Sequence, residues 1–310
     1  MIEEQVAYVS LAGVVASFIT YAFPRNWRQK TSLAIALATL FAMLYYSLIE
    51  KSIGGLVGFT SSIAGIASVL SGVELVEGDE VFFNILILVL CASATVVVST
   101  NDLIRLFISW EALSITVMCI GGYRKTKEAA DAVLKYVMMC GIGSLIALYG
   151  IALVVSETGR TDLAAISQAS ELAKTLILIG FGTEAAMLPL HFWLPDLHSI
   201  SVEAGATVIS GVAVGTASIL LYRIVLNDSM LRNVVMILSV LGSLVAILTM
   251  FRQSDVKRFA AYSTVASSNL MLLAFASGNV MASYFAMLYY MAHAFAKSSV
   301  FILAGVLKKL

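Results

Sequence analysis

The sequence predicts an all-α fold, a polytopic transmembrane helical bundle of about eleven helices. Two observations support this prediction: hydrophobic residues make up 60% of the 310 residues, and charged residues only 12%. A soluble domain has roughly 25% charged residues, so this chain lacks the charge to cover a surface that faces water. Lipid must therefore be its outer solvent. Because backbone amides beside lipid need partners within their own segment, the spans are expected to be helices.

Eleven apolar runs approach the length that crosses a bilayer, which is about 20 mostly apolar residues. They cover residues 6–23, 31–49, 53–72, 81–100, 103–122, 130–155, 171–189, 203–226, 230–250, 257–277 and 281–307. The third run is the weakest because it is rich in Gly and Ser. The first run is expected to stay in the protein, since the acidic segment before it lacks the basic region of a signal peptide.

Basic residues predict the orientation in the cell membrane. With eleven spans and an outer N-terminus, the inner side receives eleven of the 19 Lys and Arg residues: Arg25, Arg28, Lys30, Arg124, Lys125, Lys127, Arg252, Lys257, Arg258, Lys308 and Lys309. This excess predicts an N-terminus outside and a C-terminus in the cytoplasm. An acidic loop at 74–80 also falls inside, which is compatible because acidic residues contribute little to orientation.

Charge and cysteine usage exclude several classes of protein. The 19 basic and 19 acidic residues leave no net charge, so nothing indicates nucleic acid as a partner. Cys91, Cys119 and Cys140 have no CxxC or metal-ligand spacing and are expected to be buried thiols. No glycine-rich phosphate-binding loop is present, so the energy source must be a partner or an ion gradient. Neither a resident cofactor nor a metal is expected.

Five ionisable residues in or near the spans are candidates for ion translocation: Glu111, Lys135, Glu184, His293 and Lys297. A charge at the bilayer centre costs at least about 2.5–3.5 kcal/mol. The presence of each of these residues in a span therefore requires a functional or a structural explanation. Glu111 is either a carboxylate that carries protons or one tied to a neighbouring helix for packing. Lys135 has Asp131 four residues before it, the favourable order for a helical ion pair; alternatively, its stem extends to the membrane surface.

Glu184 is expected beside a break in its helix, because Pro189 removes a backbone donor five residues later. Broken helices inside membranes occur only against protein or water. This location favours a water-accessible acid, and a structural role is the alternative.

His293 and Lys297 are four residues apart and share one helical face well inside the last run. A histidine titrates near neutral pH and can relay protons, although a structural hydrogen bond is the alternative for His293. His191 and His198 follow Pro189 and are expected near the inner interface, with Trp193 as an anchor. A metal site there is not favoured, since no third ligand is evident.

Three stretches resemble the antiporter-like subunits of respiratory complex I, Mrp-type cation/proton antiporters and membrane-bound hydrogenases. They are Leu106-Phe-Ile-Ser-Trp-Glu111, Leu188-Pro-Leu-His-Phe-Trp-Leu-Pro-Asp-Leu-His198, and the pair Asp255-Val-Lys-Arg-Phe-Ala-Ala-Tyr-Ser-Thr264 and His293-Ala-Phe-Ala-Lys297. The resemblance implies two inverted five-helix repeats around a hydrophilic centre. It matches Glu111, Lys135, His293 and Lys297 to the family's ionisable residues, with Asp131, Pro189, His191, Asp196 and His198 in support.

On this basis the single transmembrane domain 1–310 divides into N-terminal helices (1–80), a first repeat (81–226) and a partial second repeat (230–310). Three departures from the family pattern stand out. Glu184 occupies the position where most relatives have a lysine, and Ser267 stands where many have a histidine. Relatives also usually continue for several helices beyond this chain's end, so the second repeat is expected to be truncated and to pack against another subunit.

The leading hypothesis is a non-catalytic subunit of a redox-driven, complex I-related or hydrogenase-type complex that moves protons or sodium ions. Its expected partners are other membrane subunits, including further antiporter-like ones. The alternative is a structural subunit that bridges its neighbours without conducting. A free-standing cation/proton antiporter is a third option, which the missing helices disfavour.

Overall fold

The computed structural model describes residues 2–225 and 228–309. Leu226, where the predicted eighth span and first repeat end, lies outside the described residues. The helices are α1 Ile2–Ile19, α2 Arg25–Ile49, α3 Ile53–Leu75, α4 Glu80–Ser99, α5 Leu103–Gly121, α6 Lys127–Tyr136, α7 Ile142–Thr158, α8 Glu171–Glu184, α9 Trp193–Ile200, α10 Glu203–Val208, α11 Val214–Val225, α12 Ser229–Met250, α13 Val256–Ala276 and α14 Val280–Lys309.

The all-α polytopic fold is confirmed. Ten helical segments of the described chain are long and apolar enough to cross a membrane, and two of them join consecutive helices, α6 with α7 and α10 with α11. The predicted span 171–189 is the exception. Its helix α8 ends at Glu184 after 14 residues, which is about 21 Å at 1.5 Å per residue and too short to cross the hydrocarbon core.

Both joined helices contain a π turn, at Val137–Gly141 between α6 and α7 and at Ile209–Ala213 between α10 and α11. A π turn widens the helix locally and leaves a backbone carbonyl available to other groups, and such turns are frequent at functional sites. One of these turns follows Tyr136 and the other includes Ser210. Both residues contact ionisable side chains at the centre of the bundle.

The segment formed by α10 and α11 is the centre of the molecule and is buried over nearly all of its length, whereas α1 and α12 are buried over less than a third of theirs. Small residues allow this close packing, as is usual between membrane helices. A Cβ atom at Gly211 would lie 3.1 Å from the Cα and carbonyl oxygen of Ala294 in α14. The helix that bears His293 and Lys297 is therefore held directly against the central helix.

We expect Gly211→Val to destabilise the protein by about 1–3 kcal/mol, because backbone atoms of α14 cannot yield as a flexible side chain would. Gly141→Ala is the matched control, since a Cβ at this π-turn glycine meets only Val137 Cγ1 at 3.7 Å. The unfolding temperature of the detergent-extracted protein measures both effects. Equal unfolding temperatures for the two variants would contradict the close packing of α14 on the centre.

Candidate functional site

The break after α8 occurs where Pro189 predicts it. Ala186 has a left-handed backbone (φ 52°), and the Leu188–Pro189 peptide bond is cis. The carbonyl groups released by the break find donors elsewhere: Ser268 Oγ donates to Ala185 at 2.5 Å, and Asn269 Nδ2 donates to Ala186 at 3.1 Å. Helix α13 thus replaces the lost helical hydrogen bonds, which is the condition for a broken helix within a membrane.

Glu184, the last residue of α8, is almost completely buried, with 1% of its surface exposed. Tyr136 Oη donates a hydrogen bond of 2.7 Å to its Oε1 atom, and Tyr136 Oη is itself 2.7 Å from Ser114 Oγ. Tyr136 Oη also lies 3.1 Å from the carbonyl oxygen of Ser114, and either hydroxyl can be the donor between Ser114 and Tyr136. Glu184 therefore ends a short hydroxyl chain that begins on α5.

Glu111 lies one turn before Ser114 on α5 and is half-buried. Its Oε1 atom and Glu184 Oε2 are both buried and without a hydrogen-bond partner. Their helices are in contact, since the rings of Trp110 on α5 and Phe181 on α8 lie 4.7 Å apart between centroids. In the described part of the chain, neither forms an ion pair with a basic side chain. Where the resemblance implies a lysine, the chain therefore has a second buried carboxyl group, on a helix that contacts the helix of Glu111.

The side chain of Lys135 is directed to the surface of the bundle and not to this acid pair. Its side chain is 59% exposed, and Nζ lies 2.5 Å from Asp196 Oδ2 on α9. Arg258 Nη2 contacts the other oxygen of Asp196 at 2.9 Å. Lys135 therefore forms its ion pair with Asp196 on the adjacent α9, and not the expected helical pair with Asp131.

Lys297 is buried with neutral partners. Its ammonium group donates to the carbonyl of Ala260 at 2.7 Å and to the Ser263 hydroxyl, both on α13. His293, one turn earlier, has its Nε2 atom 3.3 Å from the carbonyl oxygen of Ser210 in the second π turn. The shared face of His293 and Lys297 therefore points into the bundle, between α13 and the central helix.

His198 lies deeper than the sequence suggested, with none of its surface exposed. Both of its ring nitrogens are buried without a hydrogen-bond partner, as is Nδ1 of His191. The ring meets Trp193 edge-on at 6.0 Å between centroids, and Trp193 meets Tyr136 at 5.0 Å. Through Trp193, the His198 ring is therefore packed beside the tyrosine that binds Glu184.

Sequence reasoning missed a cluster of Arg124, Glu203 and Lys257. Glu203 starts α10 and accepts from Arg124 at 2.5 Å and from Lys257 at 3.3 Å. The signal was available, since Glu203 is an acid at the edge of an apolar run with basic residues at the edges of two others. Nearby, Tyr123 donates to the Asp79 carbonyl, and burial raises the pKa of its hydroxyl to about 12.

Comparison with known proteins identifies the family. Residues 100–309 match the family described as NADH:quinone oxidoreductase/Mrp antiporter, TM. The NADH-quinone oxidoreductase subunit 14 of Thermus thermophilus is 28% identical over 273 residues, which cover 86% of this chain and 62% of that protein. F(420)H(2) dehydrogenase subunit N of Methanosarcina mazei is 29% identical over 262 residues, covering 78% of this chain and 52% of that protein.

Solved structures show the same fold. A chain of the membrane-bound sulfane sulfur reductase, an archaeal respiratory membrane complex, superposes with a TM-score of 0.88 at 23% identity and covers 98% of this chain and 70% of that one. A chain of the Mrp complex from Dietzia sp. gives 0.87 at 19% identity, covering 98% and 64%. This chain therefore spans about half to two thirds of the length of the relatives it resembles.

Proposed function

Because this chain belongs to the NADH:quinone oxidoreductase/Mrp antiporter transmembrane family, we propose that it is a membrane subunit of a complex I-related redox complex. In this role it moves protons through the ionisable residues at its centre. Other subunits carry out the redox chemistry, and this chain contributes no catalytic residue. Its partners are further membrane subunits, including other antiporter-like ones.

The buried amine of Lys297 is the observation that supports conduction. A charge in this position is expensive, and structural stability alone gives no reason to keep it. Its partners, a carbonyl and a hydroxyl, do not balance a positive charge. The amine can therefore gain and lose a proton as nearby charges change, which a lysine locked to a carboxylate could not readily do.

The chemistry of the central groups favours protons over sodium ions. Lysine and histidine side chains bind protons, and a protonated lysine has no acceptor to offer a metal cation. The distribution of basic residues supports an inner position for the end of the bundle that contains the C-terminus, in the cell membrane. Glu111 and Glu184 supply the oxygen atoms that a cation would need, so sodium remains the alternative ion for that pair alone.

A non-conducting, bridging subunit is the second candidate. Lys135 favours it, because this lysine forms a surface cluster with Asp196 and Arg258 instead of facing the acid pair. Glu184 also stands where the resemblance implies a lysine. Without that lysine, the chain lacks the ion pair with Glu111 on which conduction in the family is expected to depend. A cluster of this kind on the outer face of a membrane bundle suits contact with a neighbouring subunit.

Purification of the native complex through a tag on this chain tests the proposal. We expect other membrane subunits to co-purify, and the reconstituted complex to acidify one side of sodium-free liposomes during turnover. A pH-sensitive dye in the liposomes measures this change. Recovery of the chain alone would overturn membership of a complex, and a strict requirement for sodium would overturn the choice of ion.

A further inference from the structure

Polar residues line the contact between α12 and α13 near the middle of α12. Ser239, Gly242 and Ser243 share one face of this helix, since residues three and four apart lie one above the other. Asn269 of α13 packs against Gly242, where a Cβ atom would lie only 2.3 Å from Asn269 Oδ1. Ser239 and Asn269 have none of their surface exposed, and Ser243 has 6%. The missing side chain at Gly242 thus brings the Asn269 amide against the turn of α12 that carries both serines.

Three polar atoms at this contact are buried without a hydrogen-bond partner in the described part of the chain: Ser239 Oγ, Ser243 Oγ and Asn269 Oδ1. A buried helical serine commonly donates to the carbonyl four residues before it. Ser62 and Ser298 do so at 2.7 and 2.9 Å, whereas Ser239 and Ser243 do not. A buried polar atom left unsatisfied is costly. Three such atoms on facing turns therefore indicate one shared partner.

The Asn269 amide also links this contact to the break after α8. Its Nδ2 atom donates to the carbonyl of Ala186 at 3.1 Å and to the carbonyl of Val265 at 2.8 Å. The nitrogen of the amide is thus satisfied by the break and by its own helix, and the oxygen is turned towards α12. Whatever binds Oδ1 therefore also fixes the amide that replaces a lost helical hydrogen bond beyond Glu184.

The three atoms define the chemistry of the partner. Asn269 Oδ1 can only accept a hydrogen bond, and each serine hydroxyl has a proton for which the described chain offers no acceptor. A sodium ion would bind the oxygen atoms but could not accept those protons. One water molecule satisfies all three groups, because it accepts from both serines and donates to Asn269. This arrangement gives the three hydrogen bonds, roughly, that are typical of a buried water.

We propose that a single water molecule is bound between α12 and α13 by Ser239, Ser243 and Asn269. Side chains four residues apart on a helix are about 5–6 Å from each other, which one water can bridge with two hydrogen bonds of about 2.8 Å. The water joins α12 to the amide that holds the broken end of α8, in a membrane interior where no bulk solvent can satisfy these groups. The inference goes beyond the proposed function and holds whether or not the subunit conducts.

The unfolding temperatures of Ser239→Ala, Ser243→Ala and the double variant, measured on the detergent-extracted protein, test the shared water. We expect each single variant to unfold a few degrees lower than the wild type, because the water loses a partner. Without a bound water the same change would remove an unsatisfied hydroxyl and raise the unfolding temperature. The double variant should lose clearly less than the sum, since both serines bind one molecule. Ser62→Ala is the control, because its hydroxyl bonds its own helix, and its effect should add in full to that of Ser239→Ala.

Two further measurements identify the occupant. The wild type should unfold at the same temperature in sodium chloride and in choline chloride of equal ionic strength. A rise in sodium that Ser239→Ala abolishes would reveal a bound cation and overturn the proposal. A density map of the assembled complex that resolves ordered water should contain a peak within hydrogen-bonding distance of Ser239, Ser243 and Asn269. Unchanged or raised unfolding temperatures in the two alanine variants, or fully additive losses, would also overturn it.

Discussion

Lys297→Met is expected to reduce proton pumping per turnover to the level of a complex in which this subunit conducts nothing, while turnover by the redox subunits continues. The methionine fills a similar volume but has no proton to gain or lose. The hydrogen bonds to the Ala260 carbonyl and the Ser263 hydroxyl disappear with the amine. Each lost bond to a charged donor costs about 1.5–3 kcal/mol, partly offset because a buried charge is removed with it.

Lys297→Arg is the companion variant, since it retains a charge that cannot be released at neutral pH. We expect it to pump as poorly as Lys297→Met, and Lys51→Met, at an exposed loop position, to pump like the wild type. The assay is the initial rate of pH change in liposomes divided by the rate of substrate consumption. Full pumping by Lys297→Met would identify the chain as a bridging subunit.

Glu184→Lys is expected to change the coupling between pumping and turnover more than Glu184→Gln. The new ammonium group would lie opposite Glu111, whose Oε1 atom is buried without a partner, and would form the ion pair that is absent here. A stable pair would hold both charges in place. The neutral amide of Glu184→Gln keeps an acceptor for Tyr136 Oη, so its effect on stability should be near 1 kcal/mol or less.

Glu111→Gln combined with Glu184→Lys provides the control for this pair. If the effect of the lysine comes from an ion pair with Glu111, removal of the Glu111 charge should restore part of the wild-type ratio of pumping to turnover. The same ratio in Glu184→Lys, Glu184→Gln and the wild type would remove Glu184 from the transport mechanism. The double variant must be compared at equal yields of assembled complex.

The sequence alone determined that lipid surrounds the protein, that the fold is all-α and that a helix breaks after Glu184. A chain with 12% charged residues cannot face water on all sides, and a backbone in lipid must satisfy its own hydrogen bonds. Proline at position 189 has no N–H to continue a helix. The motifs around Glu111, Pro189, His293 and Lys297 then led to the family that the comparison confirmed.

Only the tertiary structure decided which charged groups meet. Lys135 could reach Asp131 on its own helix or Asp196 on another, and helical spacing cannot rank a partner that is distant in sequence. The cluster of Arg124, Glu203 and Lys257 joins residues from three separate segments. Charges at the edges of three apolar runs indicate which residues could meet, but not that they do. His198 looked interfacial because it follows a helix break, yet α9 folds back into the bundle and buries its ring completely. Packing between helices sets these positions, because a side chain's neighbours across a bundle depend on how the helices cross.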